Sequence, residues 1–148
     1  MRFYSASNYY LSSIQVGIQA FHCLGEMIIK YPYIPCGLTT QAIAREMLHE
    51  WMQNHKTLIC VNGGNNQALN EFYALLTRED AGSYPVARFH EDEISMGGML
   101  TCVGIVLPAK IYDATPVYLY EGADAIYPDL TLWECNVLNA LKRMPLAR

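Results

Sequence analysis

Apolar positions along the chain change their period several times, and each change predicts an element. Residues 2–5 carry the aromatic pair Phe3-Tyr4 and predict a first strand. Ser12 or Ser13 can cap a helix that runs to about Lys30, with Leu11 just outside it as a staple residue. Pro32 and Pro35 then exclude helical continuation. Thr39 or Thr40 caps a second helix to about Gln53. Its Ile43, Met47 and Trp51, with Ala44 and Leu48, follow the three-four spacing of a one-sided helix. Residues 57–61 are continuously apolar between His55-Lys56 and Asn62-Gly63-Gly64, and predict a fully buried strand. A helix from Asn65 or Asn66 follows, with Leu69, Phe72, Tyr73 and Leu76 inward. Residues 86–89 predict a short strand. Gly97-Gly98 turns the chain into a further apolar run, 99–107, that ends at Pro108. Alternating strands and helices argue for an α/β layer with parallel pairing. The remainder differs in kind. Tyr112, Tyr118, Tyr120 and Tyr127 mark an aromatic segment, extended over 117–120. Asp129 or Thr131 then caps a last helix carrying Leu132, Trp133, Val137, Leu138 and Leu141.

Composition narrows this picture. The chain has 148 residues, 52% apolar and 16% charged, which suits one domain with one core and excludes a disordered or coiled-coil chain. A formal net charge of −4 removes nucleic acid as the default partner, although a local basic patch would be compatible with it. No segment reaches the roughly 18 apolar residues of a spanning helix. The start, Met1-Arg2-Phe3-Tyr4, leads into polar residues and not into a signal-peptide core, so a cytoplasmic location and no membrane partner are expected. Five cysteines (23, 36, 60, 102 and 135) lack any C-x-x-C pair, which predicts free buried thiols and no metal site.

The helix over 14–29 is the most informative stretch. Nearly every position is apolar or small; the exceptions are Gln15, Gln19, His22 and Glu26, spaced four, three and four apart. At about 100° per residue these four share one narrow stripe. A helix this apolar is buried over most of its circumference, so the stripe is either its wet edge or the wall of a polar cleft. Two glutamines and a histidine supply donors and acceptors with little charge, which suits orienting a ligand or a water. Gly17 and Gly25 flank the stripe and predict a close approach of another backbone. Asn62-Gly63-Gly64-Asn65-Asn66 reads as a tight turn with an Asn cap; it lacks the Lys-Ser/Thr of a P-loop. No nucleophile elbow is present, and Cys23 and His22 point about 100° apart, against a Cys–His pair.

The segment Gln15-Val16-Gly17-Ile18-Gln19-Ala20-Phe21-His22 resembles the K-x-A-A-Q-x-x-H motif of the type 2 peptidyl-tRNA hydrolase family. Three further stretches follow in that family's order. W-M-Q-N-H-K-T-L-I-C-V (51–61) is similar to its W…G-x-K-K-V-V entry to the second strand. Residues 65–76 resemble the helix after it. Gly98-Met99-Leu100-Thr101-Cys102-Val103-Gly104-Ile105, reaching Pro108, looks like its G-x-x-T-v-l-g-i-G-P final strand. The resemblance covers residues 1–110, and the chain has the look of the divergent versions that occur in bacteriophages, whose location would be the host cytoplasm.

The resemblance implies an α/β domain over 1–112 with a mixed four-stranded sheet and helices on both faces, commonly a homodimer. It also implies hydrolysis of the ester of peptidyl-tRNA or aminoacyl-tRNA by an activated water, with neither metal nor organic cofactor. Gln19 and His22 fall on the family glutamine and histidine, Thr101 on the threonine of the last strand, and Gly98 on the turn before it. The family lysine falls on Gln15, which removes a permanent cation from the site. The family aspartate falls near His90-Glu91-Asp92-Glu93, as Asp92 or Glu91. The expected catalytic set is therefore His22, Gln19, Thr101 and Asp92 or Glu91, with Gln15, Glu26 and Gly98 binding the ligand.

Loss of the lysine and the net acidity leave a second expectation open: a non-catalytic relative that binds a nucleotide-like small molecule or a host protein. The helical and aromatic extension over 113–148 lies outside the resemblance. Its apolar residues predict either a two-fold dimer in which Tyr118, Leu119, Tyr120, Trp133 and Leu138 help bury one another, or a lid over the chain's own sheet.

Overall fold

A computed structural model describes residues 1–33, 40–118, 120 and 125–147. Four strands form one mixed sheet: β1 (Arg2–Asn8), β2 (Thr57–Gly64), β3 (Val86–His90) and β4 (Leu100–Leu107), in the order β2-β1-β4-β3. β1 runs parallel to β2, from Arg2↔Thr57 to Ser7↔Asn62, with a register shift before Asn8↔Gly64. It runs antiparallel to β4, from Arg2↔Leu107 to Ser7↔Cys102. β3 is antiparallel to β4 and forms the far edge. The sheet is mixed, as expected, and the parallel pairing suggested by the alternation of strands and helices holds for β1 and β2. The reason β3 and β4 depart from it is connectivity: they are joined by residues 91–99, too short for the helical crossover a parallel pair needs.

Helices cover both faces. On one lie α1 (Ser13–Lys30) and α2 (Thr40–Glu50), which runs directly into a π-helical turn, Trp51–His55. Phe3, Cys23, Met27, Leu48, Trp51, Cys102 and Val106 form the core there. On the other face lie α3 (Asn66–Leu76) and α6 (Leu132–Arg143), over a larger core that includes Ala6, Leu69, Phe72, Val103, Ile105, Trp133 and Val137. The period-two alternation of β1 sends Phe3 to the first core and Ala6 to the second. Two short helices, α4 (Glu93–Met96) and α5 (Ala109–Tyr112), flank β4. No helix among the described residues is long and apolar enough to cross a membrane.

Ser12 caps α1 through a capping box with Gln15, and Thr131 caps α6 through one with Glu134. Thr39, the other candidate cap of α2, lies outside the described residues, as do Leu119 and Cys36; the four described cysteines are free. Ile43 is exposed and Met47 half-buried, so α2 buries a narrower face than its spacing predicts: Ala44 and Leu48, continued by Trp51. Leu132 is exposed too, because it sits just inside the Thr131 cap.

The run 57–61 is not a fully buried strand. β2 is the outer strand beside β1; Thr57 and Leu58 are exposed, and burial begins only towards Val61. Its open side is covered by the end of the chain. Asn62 N donates to Pro145 O (2.8 Å) and Ala147 N to Cys60 O (3.0 Å).

The close approach predicted at Gly17 and Gly25 lies elsewhere. Both helix glycines face open space. A Cβ at Gly104, in β4, would instead lie 2.5 Å from the Phe3 ring and 2.8 Å from Cys23 Sγ. The sheet, and not the helix, gives up its side chain so that α1 can settle on it. The extension packs on its own domain: Trp133, Val137, Leu138 and Leu141 are buried, Tyr84 stacks on Trp133 (ring centroids 5.2 Å apart), and Trp133 Nε1 donates to Leu75 O. Trp133 and Leu138 are thus consumed within one chain, while Tyr118 and Tyr120, the aromatic part of the expected interface, are exposed.

Candidate functional site

α1 presents three faces. Val16, Ala20, Cys23 and Met27 are buried on the sheet. Ile14, Phe21 and Ile29 point outward, more than 70% exposed. Between them runs the polar stripe, turned towards β3 and the segment that leads into β4. This order follows from 3.6 residues per turn and a helix seated at the sheet's edge.

Gln19 is the buried member of the stripe, 4% exposed. Its two amide ends are used in opposite senses. Oε1 accepts from Thr101 Oγ1 at 2.8 Å, and Nε2 donates to Glu91 Oε1 at 2.5 Å. A hydroxyl, an amide and a carboxylate from β4, α1 and the end of β3 thus form one relay. Thr101 is fully buried, while Glu91 is half-buried and reaches solvent. Thr101 Oγ1 also lies 3.4 Å from Phe89 O, and the shorter bond to Gln19 takes its proton.

Of the two carboxylates left open, it is Glu91 that bonds Gln19; Asp92 is exposed on the turn, where its carbonyl accepts from Gly98 N (3.3 Å). Gly97 and Gly98 have φ of 62° and 68°, the left-handed values a turn this tight requires and glycine adopts freely. The Gly98 carbonyl accepts from His90 Nδ1 at 3.0 Å, which pins the turn to β3.

His22, one helical turn beyond Gln19, is exposed and stacks on Phe89 with centroids 4.6 Å apart and planes 14° from parallel. Gln15 does not join the site. Its Oε1 accepts from Ser12 N (2.9 Å), so the residue at the family lysine position is spent on capping its own helix. Glu26 is exposed and lines an adjoining cleft with Lys30 and Arg88, which Phe89 and His90 border as well. The stripe therefore divides into a cap residue, a buried relay, a stacked imidazole and a cleft wall.

Phe89 was not singled out from the sequence, yet it carries His22 and offers its carbonyl beside Thr101. A buried polar seam in β1 was missed as well. Ser5 Oγ lies 3.0 Å from Cys102 Sγ and Ser7 Oγ 3.7 Å from it. Hydrogen bonds to its sulfur from Cys23, and then from Ser5 and Ser7, hold the Cys102 thiol below the usual range despite its burial. The same pairing, and then burial, push Cys23 up. The signal available was Ser5 and Ser7 alternating with Tyr4 and Ala6 in a strand flanked by apolar neighbours. Asn8, at the end of that strand, donates through Nδ2 to Leu100 O (2.9 Å) and ties β1 to the start of β4.

Compared with known proteins, the chain matches no family model and no characterised protein sequence. This corrects the sequence reading wherever it leaned on the resemblance and not on the residues. A phage origin, tRNA or nucleotide binding as properties of this chain, and the label of peptidyl-tRNA hydrolase itself, have no match behind them. The homodimer has no match behind it either; of the tail residues that were to build it, Trp133 and Leu138 are buried in their own domain, while Tyr118 and Tyr120 are exposed.

Proposed function

We propose that this protein hydrolyses a carboxylic ester with a water activated at Glu91. The observation that carries this reading is the Thr101–Gln19–Glu91 relay: a buried amide held from behind by Thr101 that fixes one carboxylate oxygen and leaves the other towards solvent. Glu91 accepts a proton from the water, whose oxygen bonds to the ester carbonyl carbon. The second Nε2 hydrogen of Gln19 and an N–H of His22 donate to the oxyanion that develops. Collapse breaks the bond to the alcohol oxygen, and the alcohol leaves with the proton held by Glu91. Phe89, stacked under the imidazole, sets the plane of His22.

The test is release of the acyl group by the purified protein. The peptidyl- or aminoacyl-tRNA ester implied by the sequence resemblance is the first substrate to assay, beside simple aminoacyl esters. Glu91→Gln keeps the shape and removes the base, and its rate falls by about 100-fold or more. No release above that variant, across all the esters, ends the reading.

A second reading is favoured by one observation. Both ends of the Gln19 amide are satisfied internally, and Gln15 brings nothing to the site. The relay then acts as a polar pin that fastens α1 to β4 in a protein that binds and does not catalyse. On that reading Glu91→Gln and Thr101→Val lower stability and no ester is cleaved.

A further inference from the structure

The two edges of the sheet are treated differently. Residues 145–147 pair with β2 and cover its outer side. At the other edge, β3 pairs with no strand but β4 among the described residues. Alternate residues of an antiparallel edge strand aim their main-chain N–H and C=O away from the neighbour. Val106 N donates to Pro85 O, so Val86 and Arg88 are the outward-facing residues. The groups of Val86 are capped, its N–H by Tyr31 Oη (3.3 Å) and its carbonyl by Lys30 Nζ (3.0 Å). Arg88 carries no such cap among the described residues.

A cleft of about 530 Å³ lies along this stretch, between Ile29 and Lys30 of α1 and Tyr73 of α3. Arg88 rests over the Tyr73 ring at 4.4 Å. Neither Lys30 nor Arg88 has a carboxylate partner among the described residues, in a chain whose net charge is −4. Glu26 is the single acid of the cleft. Ile29, 73% exposed, gives one wall an apolar surface.

We propose that the open edge of β3 docks an extended acidic segment of a partner polypeptide, which adds as a strand beside Arg88. Main-chain bonds to Arg88 supply the pairing, and acidic side chains on the face of Tyr73 meet Arg88. Apolar side chains on the alternate face cover Ile29. The segment therefore alternates acidic and aliphatic residues. This inference stands apart from ester hydrolysis, since it uses neither Gln19 nor Glu91.

The experiment is an NMR titration of the full chain with the peptide acetyl-Glu-Ile-Asp-Val-Glu-amide. Amide signals of residues 86–90 are expected to move. A peptide with Lys in place of each acid, and the Arg88→Glu protein, should each bind about tenfold more weakly. Arg88 is exposed, so that variant keeps the fold. A peptide N-methylated at alternate amides keeps its charge but cannot pair, and should not bind. Three outcomes overturn the proposal: no movement at 86–90, equal binding of the N-methylated peptide, or tighter binding of an oligonucleotide at the same residues. The first leaves the charges as guards of the edge, and the other two make the cleft a site for negative charge alone.

Discussion

Glu134 is the residue whose replacement says most about how the extension is held. It is 3% exposed and is the third residue of α6, where its Oε2 accepts from Thr131 N (2.8 Å). Its Oε1 accepts from Tyr84 Oη and from Lys110 Nζ, the latter at 2.6 Å. Burial alone would raise its pKa; the bonds from Lys110 and Tyr84, with the Thr131 N–H, outweigh that and pull it from 4.5 to about 2. Tyr84 is pushed up, by burial first and by the same carboxylate second. At 1.36 kcal/mol per unit the carboxylate's shift corresponds to about 3 kcal/mol. Because Lys110 is 57% exposed, solvent screening lowers the expected value to about 2 kcal/mol. Glu134→Gln places an amide N–H₂ against Tyr84 or Lys110, two donors, and should lose about that much at pH 7. The sign follows from linkage. A depressed carboxyl pKa stabilises the fold above the unfolded value of about 4.5 and loses that contribution as pH falls towards 2. Urea unfolding of both proteins at pH 7, 5 and 3 should therefore show a gap that narrows with acid. A gap below about 0.5 kcal/mol at pH 7, within the range of ordinary surface changes, refutes the reasoning. So does a gap that keeps its full size at pH 3.

Glycine supplies a paired prediction. Gly17→Ala and Gly25→Ala meet open space and should each stabilise by about 1 kcal/mol, whereas Gly104→Ala drives a methyl into Phe3 and Cys23 and should destabilise by about 1–3 kcal/mol; thermal unfolding reads all three. Thr101→Val leaves Gln19 Oε1 buried without its donor and should destabilise by about 1–3 kcal/mol, read by urea unfolding at pH 7. Trp133→Ala removes a side chain that is 2% exposed and should cost about 3–5 kcal/mol in the same assay, which would set α6 apart from a loosely held appendage.

How far the sequence could be read depended on whether the deciding contact was local. The caps at Ser12, Asn65 and Thr131 and the pairing of an apolar face with a polar stripe on α1 are properties of neighbouring residues, and were legible. The choice between Glu91 and Asp92 was not. It rests on a register shift between Phe89 and His90, which depends on how β4 is entered. Gln15 could not be assigned to the cap or to the site, because both uses need the same side chain at the same helical position. The run 57–61 misled for another reason. Continuous apolar character describes a strand with a cover on each side, and here part of that cover comes from residues 145–147, more than eighty positions away. Phe89 escaped notice since a lone aromatic in a short strand looks like core until its neighbour is known to be His22.

The sheet order has a consequence for the time course of folding. β1 is a central strand, yet one neighbour, β2, begins fifty-five positions after it and the other, β4, ends at Leu107. The β3–β4 hairpin is the local pairing of the sheet, and sequence-distant pairings are slow to form. Glu91 and Thr101 both belong to that hairpin, and Gln19 belongs to α1. Two-thirds of the relay can therefore assemble early, as an exposed carboxylate and a hydroxyl with no amide between them. The last third arrives when α1 settles over Gly104. The site comes into being in the same step that buries the first core, so no partly folded form of the chain can carry it.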